Sequence, residues 1–329
     1  MPAPSPRPIL VTGAAGFIGS HVVQALLRRG DAVLGLDNFD PFYDRARKQA
    51  NLRLCETEAA AQRTRFDFAE ADIRDPAALA RLFAEHRPVG LIHLAAKAGV
   101  RPSIDDPVAY ADVNVTGTAV LLNLAARAAL PRAVIASSSS VYGNCPVVPF
   151  REDADLWAPI SPYAATKKAC ELLGHAHWHL TAMPTAMLRF FTVYGPRQRP
   201  DLAVSLFLHA AAAGAPIAMF GDGASSRDYT YIDDIVAGVL AAYDRIDRFG
   251  YRVWNLGGSD PVTLRELIAA VGRVVGRAPE IRPMPPRPGD VERTFADLTR
   301  SRAELDFTPA VTLEDGINRQ WTWQRQAGP

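Results

Sequence analysis

The sequence has little cysteine, no excess of either charge and no long apolar stretch without a break. Its three cysteines, Cys55, Cys145 and Cys170, are too few for a disulfide framework and lack the spacing of metal ligands, so we expect a reducing, cytoplasmic location. Lys and Arg total 36 against 35 for Asp and Glu, which gives a net charge of +1. This balance argues against nucleic acid or an anionic membrane as a partner.

The longest uncharged stretch is residues 202–220, but Gly214 and Pro216 interrupt it. It therefore predicts a buried helix of about eleven residues and not a membrane span. Residues 1–8, MPAPSPRP, lack the cationic and apolar regions of a signal peptide, and we expect a flexible leader there.

Short apolar runs alternate with longer helical patterns through the first half of the chain, at residues 9–11, 32–36, 91–94 and 133–136. Each run is followed by Gly, Asp, His or Ser and then by a helix-like segment. This order predicts an α/β fold with a doubly wound parallel sheet of the Rossmann type, and with its ligand at the carboxyl ends of the strands.

The first run leads into TGAAGFIGSH, where Gly13, Gly16 and Gly19 precede an apolar helix. Glycines let the backbone approach a pyrophosphate, and the helix N-terminus offers N–H groups to the anion. The second run ends at Asp37, whose carboxylate suits a ribose diol and would repel a 2′-phosphate. The pattern predicts a dinucleotide site that favours NAD over NADP, and a purely structural glycine turn is the alternative.

The domain organisation follows from a change in composition. After about residue 188 prolines and loops become denser, and only residues 251–256 return to a strong strand pattern. We predict a NAD-binding Rossmann domain at residues 9–188, joined by residues 228–258. A smaller substrate-binding lobe would comprise residues 189–227 and 259–329.

The segment SPYAATKK places Tyr163 and Lys167 on one face at the predicted start of a helix. Tyrosine is a poor base near neutral pH, but a lysine ammonium and a cationic nicotinamide nearby favour the phenolate. Four serines, residues 137–140, follow the fourth apolar run, and a hydroxyl there is placed to hold a substrate oxygen or share its proton. The pattern predicts Tyr163 as a proton acceptor.

Two other chemistries are less well supported by the sequence. His175 and His179 share a helix face, but no third ligand accompanies them, so we expect no metal site. Cys145 lies near the serines without a matching histidine, which argues against a cysteine nucleophile.

Together these motifs resemble, in order and over nearly the whole chain, the extended short-chain dehydrogenase/reductases, and specifically the nucleotide-sugar epimerases. The resemblance rests on the glycine loop, Asp72-Ile73, HLAA at residues 93–96, Asn114, SSSSVYG, Tyr163-x-x-x-Lys167, RFFTVYGP, RDYTYIDDI and RPGD at residues 287–290. It implies that Ser138 is the catalytic hydroxyl, Tyr163 the base and Lys167 its activator. The NAD contacts that it implies are Gly13, Gly16, Phe17, Ile18, Gly19, Asp37, Asn38, Asp72, Ile73, Leu94, Ala95, Ala96, Asn114, Tyr163 and Lys167.

The resemblance also separates two reactions. Related sugar-nucleotide 4,6-dehydratases carry an Asp-Glu pair at the places that Ser139 and Ser140 occupy here, and this pair removes water. Two serines cannot supply that acid and base. The sequence therefore favours epimerisation, which needs only reversible hydride transfer and one proton shuttle.

Residues 188–201, LRFFTVYGPRQRPD, resemble the corresponding segment of the UDP-glucuronate 4-epimerases. UDP-glucose 4-epimerases usually carry Asn at the place of Thr192 and lack the RPD element. Thr192, Arg199 and the serines offer short donors and a charged fork for a carboxylate at sugar C6, although Arg199 is open to a plain surface role. Arg197-Gln198 departs from the family, which often carries Trp-Gly there.

By the same resemblance Arg227 and Arg287 match diphosphate-binding positions, with Asp290 in the same RPGD element as Arg287. Residues 216–220 resemble the strand that holds the uracil. The substrate contacts implied are Ser138, Ser139, Ser140, Thr192, Arg199, Arg227, Arg287 and Asp290. The resemblance also implies a homodimer formed through a four-helix contact.

We therefore predict NAD-dependent C4 epimerisation of UDP-glucuronate to UDP-galacturonate through a 4-keto intermediate. The alternatives are a UDP-glucose 4-epimerase, a UDP-glucuronate decarboxylase and, outside the enzymes, a NAD-binding regulator. The presence of both Tyr163 and Lys167 argues against the regulator.

Overall fold

The computed structural model describes residues 6–156, 158–286 and 291–327. The strands within these residues are β1 (Ile9–Thr12), β2 (Val33–Asp37), β3 (Phe66–Glu70), β4 (Gly90–His93), β5 (Ala133–Ser138), β6 (Thr185–Phe190), β7 (Thr192–Tyr194), β8 (Ile217–Phe220), β9 (Ser226–Tyr231), β10 (Tyr251–Leu256), β11 (Pro261–Thr263) and β12 (Ile281–Met284).

The α-helices within the same residues are α1 (Phe17–Arg29), α2 (Arg45–Gln62), α3 (Pro76–His86), α4 (Val100–Asp105), α5 (Pro107–Ala111), α6 (Gly117–Arg127), α7 (Pro162–Thr181), α8 (Ala203–Ala213), α9 (Ile232–Arg245), α10 (Leu264–Val275), α11 (Thr299–Leu305) and α12 (Leu313–Ala327). A π-helical turn, Asp112–Thr116, joins α5 to α6.

The chain forms two compact units. The first comprises Met1–Val141, Ser161–Arg189 and Val236–Trp254, and the second comprises Tyr142–Ile160, Phe190–Ile235 and Asn255–Pro329. Residues 142–160 thus lie with the second unit, whereas the sequence pattern placed them in the NAD domain. Tyr142 explains this, because its hydroxyl donates to Asn255 Oδ1 at 2.7 Å and its ring stacks on Phe150.

Seven strands form the central sheet, in the order β10-β6-β5-β4-β1-β2-β3. Strand β1 pairs in parallel with β2 and with β4, and the parallel pairing continues from β2 to β3 and from β4 to β5. Every residue of β1, β2, β4 and β5 is buried, which is why these strands read as continuous apolar runs. The doubly wound parallel sheet predicted from the sequence is confirmed.

The leader expected at residues 1–8 lies only partly within the described residues. Residues 1–5 lie outside the described residues. Arg7 Nε donates to the carbonyl oxygen of Arg87 at 2.7 Å, and Pro8 accepts a hydrogen bond from the Val89 backbone at 2.9 Å. The residues just before β1 are therefore bound alongside those that lead into β4.

The second unit contains a three-stranded sheet, β11-β9-β7, and a two-stranded sheet, β12-β8. Strand β8 agrees with the strand expected at residues 216–220. The other strands there were not predicted, because they are short, partly exposed and rich in polar residues, as in SRDYTY of β9.

Residues 202–220 form the eleven-residue helix α8 followed by β8, as the sequence predicted. Among the described residues, one helical stretch, Pro107–Arg127, is long and apolar enough to cross a membrane by length and composition. Its Leu121, Leu122 and Ala125 lie in the hydrophobic core of the first unit. This burial is typical of a core helix.

A buried ion pair joins α7 to β6. Arg189 donates to Glu171 from Nε and from Nη2, both at 2.8 Å, and each residue is 2% exposed. Ser137 of β5 donates its hydroxyl to the same carboxylate at 2.7 Å. Burial opposes ionisation of Glu171, but the hydrogen bonds and charge of Arg189 outweigh it and lower the pKa of this carboxyl.

Replacing Glu171 with Ala would remove the carboxylate that faces the buried guanidinium of Arg189. We expect a loss of about 3–5 kcal/mol in the free energy of unfolding, measured by urea denaturation. Glu70→Ala is the matched control, because the Arg45–Glu70 pair is about half exposed, with side-chain exposures of 49% and 50%, and its removal should change stability little. Equal losses in the two variants would contradict the role assigned to the buried pair.

Candidate active site

The glycine loop that follows β1 allows very close backbone contacts. Gly13 has φ +71°, and a Cβ on it would lie 2.8 Å from the backbone nitrogen of Ala95. A Cβ on Gly19 would overlap the carbonyl oxygen of Gly13. Helix α1 begins after Gly16, which supplies no side-chain cap, so the first N–H groups of the helix are suited to an anion. The loop and helix start fit a dinucleotide pyrophosphate.

Asp37 ends β2 and is fixed beside this loop. Its Oδ2 accepts a hydrogen bond from Ala15 N at 3.2 Å, and its Oδ1 accepts one from Phe39 N at 2.8 Å. Burial raises the pKa of Asp37, while Lys48, 3.8 Å from Oδ1, opposes that shift. The carboxylate is thus fixed beside the glycine loop, which fits the predicted contact with a ribose diol.

Asn38 and Asp72, both predicted NAD contacts, lie together. Asn38 Nδ2 donates to Asp72 Oδ2 at 3.1 Å, and Arg74 donates to both carboxylate oxygens of Asp72. Hydrogen bonding by Arg74 lowers the pKa of Asp72 to about 2. The neighbouring Ile73 belongs to the hydrophobic core of the first unit and is 5% exposed.

His93 closes β4 and is buried between two hydroxyl groups. Its Nδ1 lies 2.7 Å from Thr12 Oγ1, and its Nε2 lies 3.1 Å from Thr118 Oγ1. Burial and, more weakly, the charge of Lys167 lower the pKa of His93 to about 3, so the imidazole is neutral. Thr12 also accepts from Ala95 N, which fixes the segment Leu94–Ala96 against β1.

Asn114 joins that segment to α7 from within the π-helical turn. Its Oδ1 accepts from Lys97 N at 2.8 Å, while its Nδ2 donates to Lys97 O and to Thr166 Oγ1, both at 3.0 Å. Asn114 is 1% exposed, and its side-chain amide is thus engaged by protein on both sides. π-Helical turns frequently occur at functional sites.

The four serines have different environments. Ser137 is committed to Glu171, whereas Ser138 Oγ accepts a hydrogen bond from Ser140 N at 3.1 Å. Ser138 and Ser139 are 8% and 9% exposed, and Ser140 is partly buried. The hydroxyl of Ser138 therefore keeps its proton available as a donor at the end of β5.

Helix α7 presents Tyr163 and Lys167 one turn apart on the same face. Lys167 is 5% exposed and donates from Nζ to Ala136 O at 2.7 Å, which docks this face near the end of β5. The backbone N–H of Tyr163 donates to Ser103 Oγ at 3.1 Å, and Tyr110 meets its ring edge-on. This arrangement fits the prediction of Tyr163 as a proton acceptor with Lys167 as its activator.

Three of the predicted substrate residues, Thr192, Arg199 and Arg227, belong to the second unit. Thr192 begins β7 opposite Tyr229 of β9. Arg199 binds Asp201 through Nε at 2.9 Å and Nη2 at 2.6 Å, and its side chain is only 15% exposed, so it is not a freely solvated surface arginine. Arg227 Nη1 donates to Ser226 O at 2.9 Å. Arg287 and Asp290 lie outside the described residues.

Sequence reasoning missed several residues that organise the first unit. Glu171 had a readable signal, because Tyr163, Lys167 and Glu171 follow one another at intervals of four along α7. Ser103 and Lys97 had none, since their partners are distant in sequence. Within the part of the chain that the structure describes, no group of three His, Cys, Asp or Glu side chains is arranged to hold a metal ion.

Several known proteins resemble this chain. A family model described as GDP-mannose 4,6 dehydratase matches residues 10–320. The chain is 39% identical over 319 residues to the UDP-glucuronate 4-epimerase of Thermodesulfobacterium geofontis (strain OPF15), with 96% of each chain covered.

Two solved structures have the same fold. One is UDP-glucuronic acid 4-epimerase from Bacillus cereus with UDP-glucuronic acid and NAD, at TM-score 0.90 and 34% identity over 98% of this chain and 100% of that one. The other is UDP-glucose 4-epimerase from Thermotoga maritima with UDP-glucose, at TM-score 0.87 and 32% identity over 97% and 99%. The range that the family model matches spans the glycine loop, the serines and the Tyr163–Lys167 face. The chain therefore belongs to the extended short-chain dehydrogenase/reductases, in their NAD-dependent epimerase/dehydratase family.

Proposed function

We propose that this protein is a NAD-dependent UDP-glucuronate 4-epimerase that interconverts UDP-glucuronate and UDP-galacturonate. The observation that carries the proposal is Lys167, held 2.7 Å from Ala136 O and one turn from Tyr163, beside the strand that ends at Ser138. The curated relative with 39% identity over 96% of the chain bears the same activity in its name.

The residues of the first unit divide the work of the reaction. Tyr163, as phenolate, takes the proton of the C4 hydroxyl, and the Lys167 ammonium stabilises that phenolate. Ser138 donates a hydrogen bond to the C4 oxygen. When bound, NAD supplies reversible two-electron oxidation at C4. The 4-keto sugar then rotates and presents its other face, and Tyr163 returns the proton to the C4 oxygen. The opposite configuration therefore forms at C4.

The reaction stops at epimerisation because the neighbouring positions lack acid–base groups. Dehydration would need a carboxylic acid and a base near C5 and C6, and the residues beside Ser138 are Ser139 and Ser140. Serine hydroxyls do not ionise near neutral pH, so they bind the substrate and do not remove water from it.

The glycine loop would hold the NAD pyrophosphate, and Asp37 would hold the adenosine ribose. We assign the remaining contacts to Phe17, Ile18, Asn38, Asp72, Ile73, Leu94–Ala96 and Asn114, with Tyr163 and Lys167 at the nicotinamide ribose. Because oxidation and reduction cancel over each turnover, the enzyme needs tightly held NAD and no added cofactor. We further propose a cytoplasmic homodimer.

The C6 carboxylate of UDP-glucuronate must be held in place during the reaction, and we call the residues that hold it the carboxylate clamp. A ketone at C4 turns the C6 carboxylate into a β-keto acid, which loses CO₂ when the C5–C6 bond stands perpendicular to the carbonyl plane. We assign Thr192, Arg199 and the pair Ser139–Ser140 to hold the carboxylate away from that alignment. Arg227 and Arg287 would bind the diphosphate, with Asp290 beside Arg287 in sequence.

The substrate assignment is tested without added cofactor. Purified protein incubated separately with UDP-glucuronate and UDP-glucose should convert only the first, to UDP-galacturonate, as followed by proton NMR. Formation of UDP-galactose alone would keep the epimerase chemistry and refute the assignment of the acid sugar. Stoichiometric NAD without any turnover would indicate a regulator.

Tyr163→Phe removes the proton acceptor and little else. We expect kcat to fall by about 10²- to 10⁴-fold, with the melting temperature unchanged. Tyr243→Phe is the matched control, because Tyr243 lies against Gly90 at the opposite end of β4 from His93. A Tyr163→Phe enzyme with normal kcat would refute the role of this residue.

Arg199→Ala should loosen the carboxylate clamp. We expect a KM for UDP-glucuronate raised roughly tenfold or more, since an arginine–carboxylate hydrogen bond contributes about 1.5–3 kcal/mol, together with a UDP-pentose product absent from the wild type. Full activity and no pentose nucleotide would remove Arg199 from the clamp.

A further inference from the structure

The segment between β7 and α8 carries Arg199, and a buried glutamine beside it makes contacts that no sequence motif predicted. Gln198 is 3% exposed, although Arg197 and Arg199 on either side are only partly buried. Its Nε2 donates to Val193 O of β7 at 3.0 Å. Its Oε1 accepts from the backbone N–H of Ser205 in α8 at 3.1 Å. One side chain thus joins the strand before the segment to the helix after it.

A second glutamine, from the distant helix α12, completes this arrangement. Gln320 is fully buried, and its Nε2 donates to Gln198 Oε1 at 2.9 Å and to Ser205 Oγ at 3.1 Å. Its Oε1 accepts from Gly195 N at 2.8 Å. Since Gly195 N can only donate and Val193 O can only accept, the backbone fixes the orientation of both side-chain amides. The two amides therefore form one directed network.

The backbone of the segment needs such support. Arg197 has φ +65°, in the left-handed region that costs a non-glycine residue about 1–2 kcal/mol. Gly195 has φ +139°, and a Cβ there would lie 2.5 Å from Ile232 Cγ2. A strained conformation persists only when surrounding contacts hold it, and Gln198 and Gln320 supply contacts at both ends.

Gln198 holds the backbone that carries the neighbouring Arg199. Arg199 is the next residue, and Asp201 holds its guanidinium by two hydrogen bonds of 2.9 and 2.6 Å. The guanidinium is therefore fixed to the segment, and the segment is fixed by Gln198 and Gln320. A shift of the segment would carry Arg199 with it, and displacements of about 1 Å are sufficient to weaken a catalytic arrangement.

We propose that Gln198, supported by Gln320 of α12, is a positioning residue for Arg199 and thereby determines how well the enzyme retains the sugar carboxylate. This inference rests on the function proposed above. Gln198 touches no substrate in this scheme; it acts through Arg199. The proposal also gives a physical role to Arg197-Gln198, which stand where the family often carries Trp-Gly. The side-chain amide of Gln198 holds the segment in a conformation that its backbone alone would not fix.

The test compares Gln198→Leu with Gln324→Leu in the full-length protein. Gln324 is the matched control because it lies one turn beyond Gln320 and also donates to Ser205 Oγ, at 3.2 Å. Gln198→Leu should raise the KM for UDP-glucuronate roughly ten- to hundredfold and release a measurable fraction of UDP-pentose, with NAD content unchanged. Gln324→Leu should do neither.

The double variant Gln198→Leu/Arg199→Ala decides whether the effect passes through Arg199. We expect it to match Arg199→Ala alone, because a residue that acts only by placing Arg199 has nothing left to place. Additive effects on KM, or a folded Gln198→Leu enzyme with wild-type KM and no pentose, would overturn the proposal.

Two further outcomes are distinguished in the same experiment. If Gln198→Leu does not fold, Gln320→Met removes the hydrogen bond between Gln320 and Gln198 from the side of α12. It should also raise the KM for UDP-glucuronate and release UDP-pentose. A Gln320→Met enzyme with wild-type KM and no UDP-pentose would overturn the proposal. Failure of the wild-type protein to convert UDP-glucuronate at all would instead refute the proposed function.

Discussion

The docking of α7 on β5 determines where Tyr163 and Lys167 lie in the first unit. Lys167 Nζ donates to Ala136 O, and one turn later Glu171 accepts from Ser137 Oγ. Two contacts one turn apart on one helix face fix both the rotation of the helix and its position along the strand. Tyr163 lies one turn earlier on that face, so its approach to the neighbourhood of Ser138 depends on these contacts.

The Glu171–Arg189 pair shows why this docking is polar. Burying two charges gains little stability over apolar residues of similar volume, because the cost of removing them from water offsets their attraction. An apolar contact, however, tolerates sliding, whereas a carboxylate bonded by two guanidinium N–H groups and a hydroxyl has one position. Through this pair β5, α7 and β6 are fixed to one another, so its contribution is to geometry more than to stability.

Sequence patterns predicted what local residues determine and missed what distant partners determine. The fully buried strands β1, β2, β4 and β5 read as apolar runs, and the glycine loop and the Tyr163–Lys167 spacing lie within single segments. Strands β7, β9 and β11 have only three to six residues and polar faces, so no periodicity marked them. The contact of Gln198 with Gln320 spans 122 positions and left no local pattern.

This contrast matters most at residues 195–201. The RPD element at residues 199–201 identifies an arginine and its carboxylate partner, but it does not place them, because placement depends on a backbone held at Gly195, Gln198 and Ser205. A glycine at residue 198 would have no side chain to bind Val193, Ser205 or Gln320, so other contacts would have to hold that backbone. The glutamine at this position binds Gln320 and thereby connects the segment to α12. In the mechanism proposed here, substrate preference depends on a helix more than 100 positions away from Arg199, and substitutions in α12 that face Gln198 act on the proposed substrate site.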